Sequence, residues 1–359
     1  MAKLFEPFKI KDVTLRNRIA VSPMCQYSSE DGFPNDWHFV HLGSRAIGGA
    51  GLVVVEATAV STDGRISPAD SGIYYDDHIE PFAKIARFMK QNGAVPGIQL
   101  AHAGRKASAN KPWEGDDHID KDQGGWDTIA PSAIAFGGKL DKVPKAMTLD
   151  DIARVKTDFV SATMRALAAG YDYLEIHFAH GYLAHEFYSP LSNKRTDQFG
   201  GSFDNRSRFI METFAAVREV WPERLPLTAR LSVTDWVEGG VTLDESIELT
   251  RRLKAAGLDL LDVSHGFVTP EVKVIPWAPG MMIAPAGRIR READIPTTTS
   301  WMITEPKQAE DALQAGHLDM VMLAREMLRD PYWPNHAAKE LGANAVTDIL
   351  PVQYARAIE

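Results

Sequence analysis

His177, His180 and Tyr182 place two imidazoles and a phenol on one short segment of chain. Imidazole N–H groups can grip an electron-rich oxygen, and a phenol can give a proton to an atom beside it. With Glu175 nearby, the same pair could belong to a zinc set. However, the His-x-x-His spacing is not the i, i+4 helical pair of zinc proteases, and no third ligand shows itself. A structural role, with both rings satisfying loop backbone, also fits the pattern. Other reactive or polar residues recur along the chain, each at the end of a short apolar run. They are Pro23, Met24, Cys25 and Tyr27, then Ala57 and Thr58, then Gln99 and His102, then Arg230, Ser264 and His265, Trp301, and Arg325.

Those apolar runs are the elements that must position the chemistry. They read Ile19–Val21, Leu52–Ala57, Val95–Leu100, Tyr173–Phe178, Leu227–Leu231, Leu260–Val263, Thr297–Ser300 and Met320–Leu323. A run such as Leu52-Val53-Val54-Val55 has no polar face, so it predicts a parallel strand covered by helices. Helical periodicity predicts Ile79–Asn92, Leu149–Ala169, Arg206–Trp221, Leu243–Ala256, Glu305–Ala315 and Pro331–Leu341 between the runs. Thr148 with Asp151 and Thr242 with Glu245 read as helix starts, and Gly93, Gly170, Gly257 and Gly316 as helix ends. Eight strand–helix alternations fit an α/β fold of the (β/α)8 TIM-barrel kind, whose chemistry lies at the carboxyl ends of the strands. The polar residues collected there are rich in donors, with Glu56 and Glu175 the carboxylates expected inside strands. Such a ring suits an anionic or electron-rich ligand, for instance a flavin pyrimidine ring with its phosphate. The segment at about 103–145 is too long for an ordinary connector, and Trp113 and Trp126 within it predict burial under a lid or at a subunit contact.

The chain has 359 residues, 45% hydrophobic and 24% charged, which suits one large barrel domain over 1–359 rather than a disordered chain. A net charge of −9 argues against a nucleic-acid partner. The single cysteine, Cys25, excludes an internal disulfide and fits a reducing compartment. No apolar leader follows Met1, and no run reaches the ~18–20 apolar residues of a membrane span. A cytoplasmic enzyme with no membrane contact is the expectation.

The run His177-Phe178-Ala179-His180-Gly181-Tyr182-Leu183 is followed by Ser189-Pro190-Leu191-Ser192-Asn193-Lys194-Arg195-Thr196-Asp197. Gly200-Gly201-Ser202 and Asn205-Arg206 come next. Together they resemble the signature of the old yellow enzyme family. The Pro-Met-Cys-Gln-Tyr sequence at Pro23–Tyr27 is similar to the first barrel loop of its xenobiotic reductase (NADPH dehydrogenase) branch, and the similarity extends through Ala101–Lys106 and nearly end to end.

The resemblance implies an FMN-dependent ene-reductase, reduced by NADPH or NADH, that passes a hydride to the β carbon of α,β-unsaturated carbonyl compounds by a ping-pong mechanism. Nitro compounds and nitrate esters come within its range. It implies that Gln99 and Arg230 bond the flavin pyrimidine edge and that Pro23, Met24 and Ala57 contact the ring. Cys25 would tune its potential, and Arg325, with Met302 and Ala324, would hold the phosphate. His177 and His180 would bind the acceptor's carbonyl oxygen and Tyr182 would donate the proton. Tyr27 and Trp301 would line the substrate pocket, and Arg356 would reach a neighbouring subunit's site, in a homodimer or homotetramer. One departure stands out. Relatives often carry glycine in the phosphate loop, yet Ser300-Trp301-Met302-Ile303-Thr304 has none, and Ala324 replaces a common glycine. The residues by themselves also admit plainer roles: Cys25 as an inert thiol, Tyr182 as a half-buried aromatic, Arg230 paired with Glu56 or Glu175, and Arg356 as a solvated tail charge.

Overall fold

The computed structural model describes residues 2–343 and 349–356. A hairpin comes first, β1 (Phe8–Ile10) against β2 (Val13–Leu15). Then follow β3 (Ile19–Val21), β4 (Leu52–Ala59) and β5 (Val95–Ala101). A short pair, β6 (Ile129–Ala130) and β7 (Lys145–Ala146), lies within the long loop. The chain continues through β8 (Tyr173–Phe178), β9 (Leu227–Ser232), β10 (Leu260–Ser264), β11 (Thr297–Thr298) and β12 (Val321–Leu323).

Among the described residues, eight strands form one parallel sheet in the order β11-β10-β9-β8-β5-β4-β3-β12. The remaining seam is spanned by Asp319 N donating to Thr297 O at 2.9 Å and Met322 N to Thr299 O at 3.2 Å. The sheet is thus a (β/α)8 barrel. Its helices are α1 (Asp36–Ile47), α2 (Ile79–Gln91), α3 (Leu149–Ala168), α4 (Leu183–Tyr188), α5 (Phe203–Val220) and α6 (Leu243–Ala255). The rest are α7 (Ile283–Glu292), α8 (Pro306–Gln314), α9 (Arg325–Arg329), α10 (Trp333–Glu340) and α11 (Val352–Ala355). No helix among the described residues is long and apolar enough to cross a membrane.

Apolar periodicity finds α2, α3, α5, α6, α8 and α10 but passes over α1, although it too buries one face, and also α4, α7, α9 and α11. All six residues of α4 are buried, so it has no polar face to generate a period. In α7, Pro285 and Gly287 blur the pattern. Thr148 and Thr242 do start α3 and α6 with reciprocal capping boxes. Strand β11 is shorter than expected, because Ser300 and Trp301 turn outward to line a cavity.

Alternation inside the barrel explains its two-layer filling. Leu52, Val54, Tyr173, Leu260 and Met322 pack at the amino-terminal end, where Ile10 and Leu15 of the hairpin plug the opening. Two residues further along β8, β9 and β10 come the polar positions Glu175, Arg230 and Asp262. A larger apolar cluster fills the space between barrel and helices.

Within the single chain, the two indoles of the long loop differ in their cover. Trp113 is 65% exposed and packs close to a right angle to the Tyr27 ring, at 5.8 Å. Trp126 is half-buried, donating from Nε1 to Asp63 O at 3.1 Å beneath the Arg65 guanidinium. The loop lies over the barrel mouth rather than in a core, so an indole there has one side covered and one side open.

The layered interior predicts a ranking of stability losses. Leu260→Ala, which opens a void in the inner cluster, should cost about 2–5 kcal/mol, and Thr148→Ala, which removes an exposed cap, about 1 kcal/mol. Denaturant unfolding of the two variants measures both.

Candidate active site

Residues pointing into a closed barrel have no water to solvate them, so polar ones must pair with each other. Strand register lines them up: Gln99 is opposite Glu175, and His177 is opposite Arg230, which is opposite Asp262. Gln99 Nε2 donates to Glu175 Oε1 at 2.7 Å. Arg230 pairs through Nε with Asp262, stands 3.8 Å from Glu175 Oε1, and donates from Nη2 to Ser22 Oγ at 2.7 Å. Burial works against the Arg230 charge, but the Asp262 and Glu175 carboxylates outweigh it and hold the guanidinium charged. Burial pushes the Glu175 and Asp262 carboxyls upward, with Arg230 opposing. Asp262 is the carboxylate that motif reading overlooked, although the period-two alternation of β10 carries it inward. Glu56, offered as a partner for Arg230, is engaged elsewhere. It accepts from Gln26 N at 2.5 Å and Ser71 Oγ at 2.7 Å, which anchors the loop bearing Met24 and Cys25.

The turn after β8 brings the imidazoles and phenol together. His180 and Gly181 adopt φ of 59° and 67°, and a side chain at Gly181 would collide with Phe267 O. Lys106 Nζ clamps the turn, donating to His180 O at 2.7 Å and Phe267 O at 3.3 Å. The His177 ring lies 5.0 Å from that of His180 and 5.1 Å from that of Tyr182, edge to face in both cases. His177 Nδ1 accepts from Ala179 N at 3.2 Å, which leaves the ring proton on Nε2. Burial drives both imidazoles well below their usual range, so both are neutral at pH 7. His180 Nε2 is held by Ser264 Oγ at 2.5 Å, and the same oxygen accepts from Trp301 Nε1 at 2.7 Å. Burial raises the Tyr182 phenol well above its usual range, so it is a proton donor and not an anion. Glu175 is turned toward Gln99 and Arg230 through Oε1, and its Oε2 has no partner among the described residues.

Beside this group opens a cavity of about 560 Å3. Pro23, Arg230, Trp301, Met302, Ala324 and Arg325 line it, all of them singled out in the sequence, and His180 borders it. Ser22, Trp277 and Ser300 complete the wall. Ser22 lies directly after β3 and could have been read from that place. Trp277 sits in the aperiodic stretch before α7 and carried no signal. The glycine-free loop adopts a glycine-like backbone nonetheless: Met302 has φ 53°, and its carbonyl accepts from Gly280 N at 3.0 Å and Gln308 Nε2 at 3.2 Å. Ala57 and Tyr182 share a second, small cavity. The Cys25 thiol is raised by burial and stays protonated. Gln99 is buried in the polar layer. Arg356 is exposed just beyond α11 and lies outside both cavities.

The donor set fits a flat anionic cofactor. Arg230 and Arg325 line one cavity, a buried guanidinium suited to electron density on a ring edge and an exposed one suited to a phosphate.

Residues 3–344 match the NADH:flavin oxidoreductase / NADH oxidase family. An NADPH dehydrogenase of Geobacillus sp. is 47% identical over 98% of each chain, and that of Bacillus subtilis 45% identical over 99% of this chain and 98% of its own. Among solved structures, morphinone reductase in complex with tetrahydroNAD superposes with a TM-score of 0.79 at 26% identity, covering 95% of this chain and 91% of that one. The old yellow enzyme homologue from Zymomonas mobilis gives 0.79 at 25% identity, covering 94% and 92%. The chain belongs to the NADH:flavin oxidoreductase / NADH oxidase family, and is an oxidoreductase of the old yellow enzyme type that uses FMN and a reduced nicotinamide.

Proposed function

We propose that this chain is an ene-reductase that reduces α,β-unsaturated carbonyl compounds by a ping-pong mechanism. The observation that carries the reading is the neutral imidazole pair, His177 and His180, packed at 5.0 Å beside a protonated Tyr182. FMN, when bound, supplies the redox chemistry, accepting a hydride from NADPH or NADH and passing one to the β carbon of the acceptor. His177 and His180 bind the acceptor's carbonyl oxygen, and as neutral donors they withdraw electron density without an ion being buried beside it. His180 exchanges its bond to Ser264 for the ligand oxygen. Tyr182 gives its proton to the α carbon. Gln99 and Arg230 hold the pyrimidine edge, Pro23, Met24 and Ala57 the ring, and Arg325, with Met302 and Ala324, the phosphate. Cys25 tunes the potential as a neutral thiol, while Tyr27 and Trp301 wall the substrate. Nitro compounds and nitrate esters present a similar flat, oxygen-bearing face and fall within the same proposal. The exposed position of Arg356 leaves it available to a neighbouring copy, in keeping with a homodimer or homotetramer.

The purified protein should be yellow and should oxidise NADPH or NADH faster when cyclohexenone is added; colourless protein that takes up no FMN would sink the reading. Tyr182→Phe should slow reoxidation by cyclohexenone about a hundredfold to ten-thousandfold while leaving reduction by NADPH intact, because only the first needs the phenol proton. Stopped-flow absorbance separates the two, and equal loss in both would make the residue structural. His177→Ala should weaken binding of para-hydroxybenzaldehyde by about 1.5–3 kcal/mol, the worth of a hydrogen bond to a charged oxygen. Titration of the ligand's charge-transfer band measures this, and flavin content should not change.

A further inference from the structure

Asp70 is a buried carboxyl that none of the roles above uses. It is 4% exposed and lies on a tight loop between β4 and α2. Its Oδ1 accepts from Ser67 N at 3.1 Å and Ser67 Oγ at 2.8 Å, and its Oδ2 from Ile66 N at 2.6 Å. It also lines the small cavity that Tyr182 lines. The rest of that wall is Ala57, Ala59, Gly64, Ile66, Ala101 and Ala103, so Asp70 and Tyr182 contribute its only polar side chains. Free space for the centre of a water molecule is about 10 Å3, which is room for one. Small residues at five positions of two neighbouring strands and their loops leave that space, and larger ones would close it. The Tyr182 hydroxyl bonds to no protein group among the described residues, so a water there would give it a partner.

We propose that Asp70 returns to Tyr182 the proton that the phenol gives to the substrate, through one water molecule held in this cavity. The inference rests on the ene-reductase reading above, in which Tyr182 is the proton donor. The steps balance without any redox change. The Tyr182 O–H bond breaks as the substrate C–H bond forms, and the phenolate then takes a proton from the water. The water takes one from the Asp70 carboxylic acid, and the carboxylate recovers its proton from bulk solvent beside the exposed Pro68. Asp70 acts through Tyr182 and is therefore a positioning residue for the proton.

Burial raises the Asp70 carboxyl to about 7, against the lowering effect of the Ser67 and Ile66 hydrogen bonds, and Glu56 adds to the rise. The other titratable groups that bear on it are Cys25, Tyr27, Tyr74 and Tyr182, and all four are neutral at pH 7. Asp70 thus carries its proton below about pH 7 and loses it above. Turnover limited by this step is full at low pH and falls as pH rises through that value.

The test uses FMN-loaded wild type, Asp70→Asn and Ala59→Val, the last of which fills the cavity without touching the Asp70 hydrogen bonds. In both variants NADPH should reduce the flavin at the wild-type rate, and prereduced enzyme should complete its first turnover of cyclohexenone normally, since Tyr182 begins protonated. Steady-state kcat should fall roughly a hundredfold, the low end of what a general acid contributes. The decline of kcat above neutral pH should vanish, and added imidazole buffer should restore turnover in Asp70→Asn. Variants that match wild type in kcat and pH profile would overturn the relay alone. Should Asp70→Asn fail to fold, Ala59→Val decides by the same criteria. Wild type that oxidises NADPH but leaves cyclohexenone untouched would overturn the relay together with the reading on which it rests.

Discussion

A guanidinium buried inside a barrel is stable only if carboxylates meet it there, and Arg230 depends on Asp262 and Glu175 for this. Removing either partner would leave an uncompensated charge in a medium that solvates it poorly. The pairing therefore commits β8, β9 and β10 to one register, because a slip of one residue would turn Arg230 toward the helices and Leu231 into the barrel. The same register sets His177 beside Arg230 and Gln99 beside Glu175. One buried charge thereby aligns residues from separate parts of the chain into a single polar layer, above which a cofactor with an electron-rich edge can lie.

The mouth above that layer is built from strained loops rather than regular elements. Tyr27, Ser108, Asp116, His180, Trp236, Phe267 and Met302 all hold positive φ without being glycine. Each such residue costs on the order of 1 kcal/mol or more, a cost that recurs at functional sites because a relaxed backbone would aim the side chains elsewhere. The clamps that hold these turns are visible. Lys106 ties the turn at His180 to that at Phe267, and Ser264 links His180 to Trp301. Aromatic rings of Phe267, Trp277 and Trp301 pack around His265, and the two indoles also line the cavity. The local charge of the site is thus independent of the chain's overall −9, since it is set by guanidiniums and neutral imidazoles that burial and pairing control.

The sequence by itself determined the barrel and its polarity. Strands buried on both faces are continuous apolar runs, helices packed on one face are periodic, and β8 and the starts of α2, α3 and α6 fall where those patterns place them. The long compound motif around His177–Tyr182 determined the family, because so many specified residues at fixed spacing leave little room for chance. Most members of the site follow from a single geometric rule, that the ends of parallel strands converge on one mouth.

Only the tertiary structure decided who pairs with whom. Asp262 joins Glu175 in neutralising Arg230 and Glu56 does not, since lateral register is a relation between strands and leaves no trace within any one of them. Trp113 is open within the single chain while Trp126 is half-buried, because an indole's affinity for cover says nothing of how far its loop reaches. Met302 takes a backbone shape usually left to glycine, held by Gly280 and Gln308, and local propensity cannot register partners that arrive from elsewhere in the chain. Asp70 meets Tyr182 across a small cavity though 112 positions separate them. Sequence periodicity reports how each segment faces water, whereas pairing depends on which segments the closed barrel brings side by side.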